Sequence, residues 1–149
     1  QGLRPDGTSR DLEQRDALAY HVSGLTTILD LAIQLGPDGR DLYAWAAPDG
    51  SSIRRSVEYV VPYAMGEKQH AEWVHTRVDL DRRRAAAGLE QYQPGRNYDP
   101  RDALGMMERA AFFDPALRRV VEHLRPEPNA STWQDLINAA ASVGYTEPQ

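Results

Sequence analysis

The stretch that decides the fold is Ala17-Leu18-Ala19-Tyr20-His21-Val22-Ser23-Gly24-Leu25-Thr26-Thr27-Ile28-Leu29-Asp30-Leu31-Ala32-Ile33-Gln34. Leu18, Val22, Leu25, Leu29 and Ile33 recur at spacings of three and four, which is one apolar face of an α-helix. Ile28, Leu31 and Ala32 widen that face, so the spacing predicts a mostly buried helix. Upstream, Thr8 or Ser9 is placed to cap it, and Gly36 with Pro37 stops it. One continuous helix is therefore expected over residues 8–34.

The helical reading extends along the chain. Residues 41–47 carry Leu42, Tyr43 and Trp45 before a Pro48-Asp49-Gly50 turn. Ser51 or Ser52 caps a helix bearing Ile53, Val57, Val60 and Val61, and Pro62 should end or kink it. Residues 66–78 have no period, 79–89 read as a helix, and 90–98 as a loop. Asp99-Pro100 and Asp114-Pro115 each place a capping aspartate before proline at the first helical position. Ser131 with Gln134 forms a capping box. No convincing strand pair is visible. The expectation is a single all-α domain over residues 1–149, built of antiparallel helices.

Composition narrows the function. The chain has 149 residues and a net charge of −5, which argues against a general nucleic-acid binder. No apolar run is long enough for a membrane helix. Without cysteine there is no disulfide framework and no thiolate chemistry. Lys68 is the one lysine beside sixteen arginines, a bias suited to carboxylate ligands and equally to a GC-rich genome.

Glu13, Asp16, Tyr20, Ser23, Thr27, Asp30 and Gln34 fall at helical spacing and form a polar stripe. It reads either as the solvated side of the helix or as one wall of a cleft. Gly24 leaves room beside the Tyr20 ring. His21 sits at the edge of the apolar face, where a histidine is usually a hydrogen-bonded core residue. Arg15 precedes Tyr20 by five positions, so on an ideal helix they point about 140° apart. Arg10 is the rival arginine for any task beside Tyr20. The segment 66–75 concentrates titratable groups, including His70, Glu72 and His75, but its histidines are five apart rather than at the four of a helical zinc site. No metal site and no cofactor are expected, and a polar loop or lid rimmed by Trp73 is. Arg82, Arg83 and Arg84 read as a solvated or salt-bridged helix face.

The run Leu12-Glu13-Gln14-Arg15-Asp16-Ala17-Leu18-Ala19-Tyr20-His21 resembles the alginate lyase superfamily of polysaccharide lyases. Gly39-Arg40-Asp41-Leu42-Tyr43, Asp49-Gly50-Ser51-Ser52-Ile53-Arg54-Arg55-Ser56-Val57 and Val61-Pro62-Tyr63-Ala64 continue the likeness, which extends over about residues 6–115. The resemblance implies an incomplete α/α toroid and β-elimination on an anionic uronic-acid polymer, alginate-like or glucuronan-like, in the periplasm or outside the cell. It implies Tyr20 as base and acid, with a pKa lowered by nearby cations, and Arg15 or Arg10 beside the uronate carboxylate. His21, Lys68 and His70 are candidate substrate-binding residues. The family's asparagine–histidine pair, which lies upstream of its tyrosine, has no counterpart before Tyr20. The chain is therefore expected to be the C-terminal portion of a larger lyase domain, with Gln1 as a cut and the cleft completed by an upstream segment or second chain. The alternative is a non-catalytic helical module that binds acidic glycans or a partner protein.

Overall fold

The computed structural model describes residues 2–125 and 133–143. The described residues form α1 (Arg10–Arg15), α2 (Leu18–Gln34), α3 (Pro37–Ala44), α4 (Ile53–Ala64), β1 (Ala71–Glu72), α5 (Asp79–Ala86), β2 (Arg96–Asn97), α6 (Leu104–Phe113), α7 (Arg118–Leu124) and α8 (Trp133–Val143). Short 3-10 turns cover Glu90–Tyr92, Pro100–Ala103 and Pro115–Leu117. The architecture is all-α, with antiparallel helices.

α2 is the central helix and packs against α3, α4 and α6. Its Leu18, Val22, Leu25 and Leu29 meet Val57 and Val60 of α4 and Met106, Met107 and Ala110 of α6 in one core. Burying each such side chain contributes about 1.5–3 kcal/mol before entropy is subtracted. The helix is less buried than its composition suggests: Leu31 is 53% exposed, and Ser23, Thr27 and Gln34 also face outward. Asp30 is ion-paired with Arg109 of α6. α3 approaches α2 so closely that a Cβ on Gly39 would lie 1.7 Å from the Ala32 carbonyl oxygen, so only glycine fits there.

The caps behave as their sequence suggests. Ser9 Oγ accepts the Leu12 amide at 3.2 Å and Ser52 Oγ accepts that of Arg55 at 3.1 Å. Asp99 and Asp114 accept from Arg101 and Ala116, each at 3.0 Å. Ser131 lies outside the described residues. Pro62 does not end or break α4, which continues to Ala64. So near the helix end the proline costs a single bond, to Glu58, an exposed residue whose carbonyl water can serve. A strand pair does exist, although minimal: Ala71 pairs with Asn97 and Glu72 with Arg96, antiparallel. Two residues per strand are too few to leave an alternating pattern.

The main departure is that residues 8–34 are two helices. Asp16 adopts a left-handed conformation (φ 52°) and Ala17 is extended. The 70–75 segment imposes the break. Glu72 Oε1 accepts the Leu18 and Ala19 amides at 3.0 and 3.3 Å, capping α2 from 54 positions away. The Trp73 amide donates to the Asp16 carbonyl at 2.7 Å, and the His75 amide to Asp16 Oδ2 at 2.7 Å. Trp73 itself has φ 66°, a sparsely populated region for an aromatic residue, so the linkage over-determines both positions.

Glu72 is only 3% exposed, and its Oε2 has no hydrogen-bond partner among the described residues. Burial raises its pKa, against the opposing pull of His70 and the two amides. A carboxyl whose pKa is raised on folding adds stability at acid pH and loses it as pH rises. Glu72→Ala is therefore expected to cost about 2 kcal/mol, by stranding two helix-end donors. Glu72→Gln keeps an acceptor without the charge and should cost less. Its stability relative to the parent should improve in urea melts as pH rises above the ordinary glutamate range of about 4.3. A difference that ignores pH, or moves the other way, would refute this account of Glu72.

Candidate active site

The break between α1 and α2 builds the surroundings of Tyr20. On an unbroken helix Arg15 would point away from Tyr20. Here the helix is interrupted at Asp16 and Ala17, and the Arg15 guanidinium lies 4.6 Å from the Tyr20 ring centroid. Arg15 Nη1 donates to both carboxylate oxygens of Asp81 at 2.7 and 2.8 Å, and Nε donates to Asp11 at 3.2 Å. Asp81 is 1% exposed. The guanidinium is thus fixed and its charge largely compensated.

On the other side, Tyr20 Oη lies 3.1 Å from Tyr92 Oη, and Arg84 Nη1 donates to Tyr92 Oη at 2.7 Å. Trp73 packs against both phenol rings. Its ring meets that of Tyr20 edge-on at 5.4 Å and that of Tyr92 at 5.1 Å, and its Nε1 donates to the Gln91 carbonyl. The Tyr20 pKa is raised. The Tyr92 hydrogen bond is the main cause and burial the second, with Arg15 and Arg84 pulling it down. The resemblance implied a tyrosine lowered by cations. The cations are present, but the neighbouring phenol and burial outweigh them.

Tyr20 lines two clefts. The first, of about 300 Å³, lies between the N-terminal segment, α1 and α2, and includes Leu3, Ser9, Arg10, His21 and Gly24. Gly24 leaves the wall open there, since a Cβ would meet nothing within 4 Å. Arg10 is exposed, and among the described residues its guanidinium makes no hydrogen bond or ion pair. Asp11, the other charge on this cleft, is bonded to Arg15. The first cleft therefore presents one unpaired positive charge. The second cleft, of about 240 Å³, sets Glu72, Asp99 and Asp102 against Arg96 alone, which disfavours an anion. Another cleft, of about 330 Å³, lies where α6, α7 and α8 meet. There Arg125 pairs with Asp135 at 2.7 Å and Glu108 at 3.4 Å, away from Tyr20.

The other candidates are placed as follows. His21 is 2% exposed at the floor of the first cleft. Its Nδ1 lies 2.8 Å from Ser9 Oγ, its Nε2 has no partner among the described residues, and burial lowers its pKa. His70 faces a different cleft, with Asp16, Tyr59 and His75, and its Nε2 lies 3.2 Å from the Asp16 carbonyl oxygen. Lys68 is on an exposed turn after α4. The structure thus brings Tyr20, Arg10, Arg15 and His21 together, and separates Lys68 and His70 from them. No group of three or more His, Asp or Glu residues suited to a metal ion occurs among the described residues. No helix there is long and apolar enough to cross a membrane.

Tyr92 and Arg84 were not legible as site residues. Arg84 belongs to a run whose neighbour Arg82 pairs with Asp79 as an ordinary surface contact. Tyr92 sits in a segment without periodicity. Trp73 was visible only as the rim of a polar loop.

No curated protein and no solved structure matches the chain. A family model described as alginate lyase matches residues 1–73, a span holding Arg10, Arg15, Tyr20, His21, Lys68 and His70 and ending at Trp73. Residues 1–73, which carry the broken helix and its tyrosine, are thus similar to the alginate lyase family.

Proposed function

We propose that this chain carries the Tyr20 side of a polysaccharide lyase active site that cleaves a uronic-acid polymer, alginate-like or glucuronan-like, by β-elimination. One observation carries the reading. Tyr20, with a guanidinium against its ring, lines a cleft whose only unpaired charge among the described residues is Arg10, and both lie in the family-matched span.

The chemistry assigns the roles. The proton on C5 of a uronate becomes removable when the adjacent carboxylate is neutralised, because negative charge builds on that group in the transition state. Arg10, free to form a fork with a carboxylate, takes this task. Arg15, held by Asp81 and Asp11, positions the Tyr20 ring and opposes the rise in its pKa. Tyr20, as phenolate, removes the C5 proton. The C5–H electrons form the C4–C5 double bond, the C4–O glycosidic bond breaks, and Tyr20 returns the proton to the departing oxygen. His21 supports the floor of the cleft, and Lys68 and His70 take no part in bond breaking. In this reading the toroid and its asparagine–histidine pair are completed from outside these 149 residues, and the enzyme works where such polymers are found, in the periplasm or outside the cell.

The test is ultraviolet absorbance of the unsaturated uronate end, with the full-length enzyme on polyuronates and on a neutral glucan. Product is expected from polyuronates alone. Arg10→Ala should lower kcat/KM by roughly 10-fold or more, the usual scale of a lost charged hydrogen bond. An unchanged kcat/KM would remove Arg10 from the site. Calorimetric binding of uronate oligomers without product would favour the non-catalytic module instead.

A further inference from the structure

Tyr20 forms part of the wall between two clefts, and its hydroxyl faces a second phenol that lines only one of them. A polymer seated in the first cleft covers that side of Tyr20. The proton that must leave the phenol before it can act as a base then needs another exit. Arg84 has donors and no acceptor, so Tyr92 Oη accepts from it. Either phenol can donate across the 3.1 Å contact; when Tyr20 donates, a second lone pair of Tyr92 Oη accepts, and the Tyr92 proton is left to turn toward the second cleft. Tyr92 and Arg84 lie beyond the family-matched span.

We propose that Tyr92, anchored by Arg84, is a proton-relay residue for Tyr20 that connects the substrate cleft to solvent in the second cleft. The inference rests on the lyase reading above. In the relay, the Tyr20 O–H bond breaks and a new O–H bond forms at Tyr92. The former Tyr92 proton passes to water in the second cleft. The balance is one proton delivered to solvent and one phenolate at Tyr20, with no oxidant or further reactant. After elimination, Tyr20 gives the C5 proton to the leaving oxygen and is a phenolate again; as product leaves, a proton from solvent returns through Tyr92, which restores the resting phenol and closes the cycle. Trp73 holds the two phenols together by packing edge-on against Tyr20 and tilted against Tyr92. The charged and titratable groups around Tyr20 are Arg15 from α1, Glu72 from β1, Arg84 from α5 and Tyr92 from its 3-10 turn, with Arg10, Asp11 and His21 on the first cleft and Arg96, Tyr98, Asp99 and Asp102 on the second.

The experiment combines two readouts on the full-length enzyme. Tyrosine carrying 13C at Cζ reports the ionisation of Tyr20 by NMR, with assignment from Tyr20→Phe. In Tyr92→Phe the Tyr20 resonance should titrate at lower pH than in the parent, because its main raising partner is gone. At the same time kcat on polyuronate should fall about tenfold or more, with KM unchanged and the multiproton solvent isotope effect reduced to a single-proton one. Arg84→Lys should retain more kcat than Arg84→Gln, since only lysine restores a charged donor. Circular dichroism melts separate these effects from loss of folding, and Arg84→Gln probes the relay with Tyr92 intact. A Tyr20 titration unmoved by Tyr92→Phe overturns the linkage. A moved titration with unchanged kcat and isotope effect overturns the relay. A moved titration in a protein that yields no product from any polyuronate overturns the lyase reading and supports the Tyr20–Tyr92 linkage.

Discussion

Replacing Asp81 with alanine is expected to lower the unfolding free energy by about 2–3 kcal/mol, which for a chain of this size is roughly 6–10 °C in Tm. Asp81 is 1% exposed and takes both of its short bonds from one nitrogen of Arg15, with Thr76 Oγ1 a weaker partner at 3.4 Å. Its loss leaves Arg15 with Asp11 alone. A fully buried pair broken in this way costs about 3–5 kcal/mol, and the smaller figure here reflects the 22% exposure of the Arg15 side chain. The effect also reaches the site, because Asp81 holds the guanidinium against the Tyr20 ring. Thermal melts check the prediction directly, and a double-mutant cycle identifies its cause. In an Arg15→Met background, Asp81→Ala should cost about 1–2 kcal/mol less than in the parent. Equal costs in both backgrounds would show that the Arg15–Asp81 pair is not what Asp81 contributes.

The same pair shows what could be read from the sequence and what could not. The apolar spacing from Leu18 to Ile33 gave the central helix and its buried face. Ser9, Ser52, Asp99 and Asp114 marked helix starts because capping is local chemistry, complete within three residues. The break at Asp16 is not local. It depends on Glu72, Trp73 and His75, more than fifty positions away, and α1 and α2 separately satisfy the periodicity of one long helix. Tyr20 is singled out by its neighbours in sequence, since the family likeness runs through it. The closeness of Arg15 to Tyr20 was not, because it exists only once the helix is broken. Tyr92 and Arg84 left still less signal. A phenol in an aperiodic loop and one arginine of three acquire a role only when α5 and the following turn set them against Tyr20.

The central claim is that Tyr20 transfers the proton in an elimination, and it is tested most directly by Tyr20→Phe. Phenylalanine keeps the ring against Arg15 and Trp73 and removes only the hydroxyl, so folding and substrate affinity should change little. A group acting as both base and acid commonly contributes about 10²–10⁴-fold to a rate. The measurement is formation of unsaturated uronate by the full-length enzyme and its Tyr20→Phe variant, at saturating polyuronate. The account predicts a fall in kcat of roughly 100-fold or more, with KM near that of the parent. Turnover by the folded variant at the parent rate would contradict it.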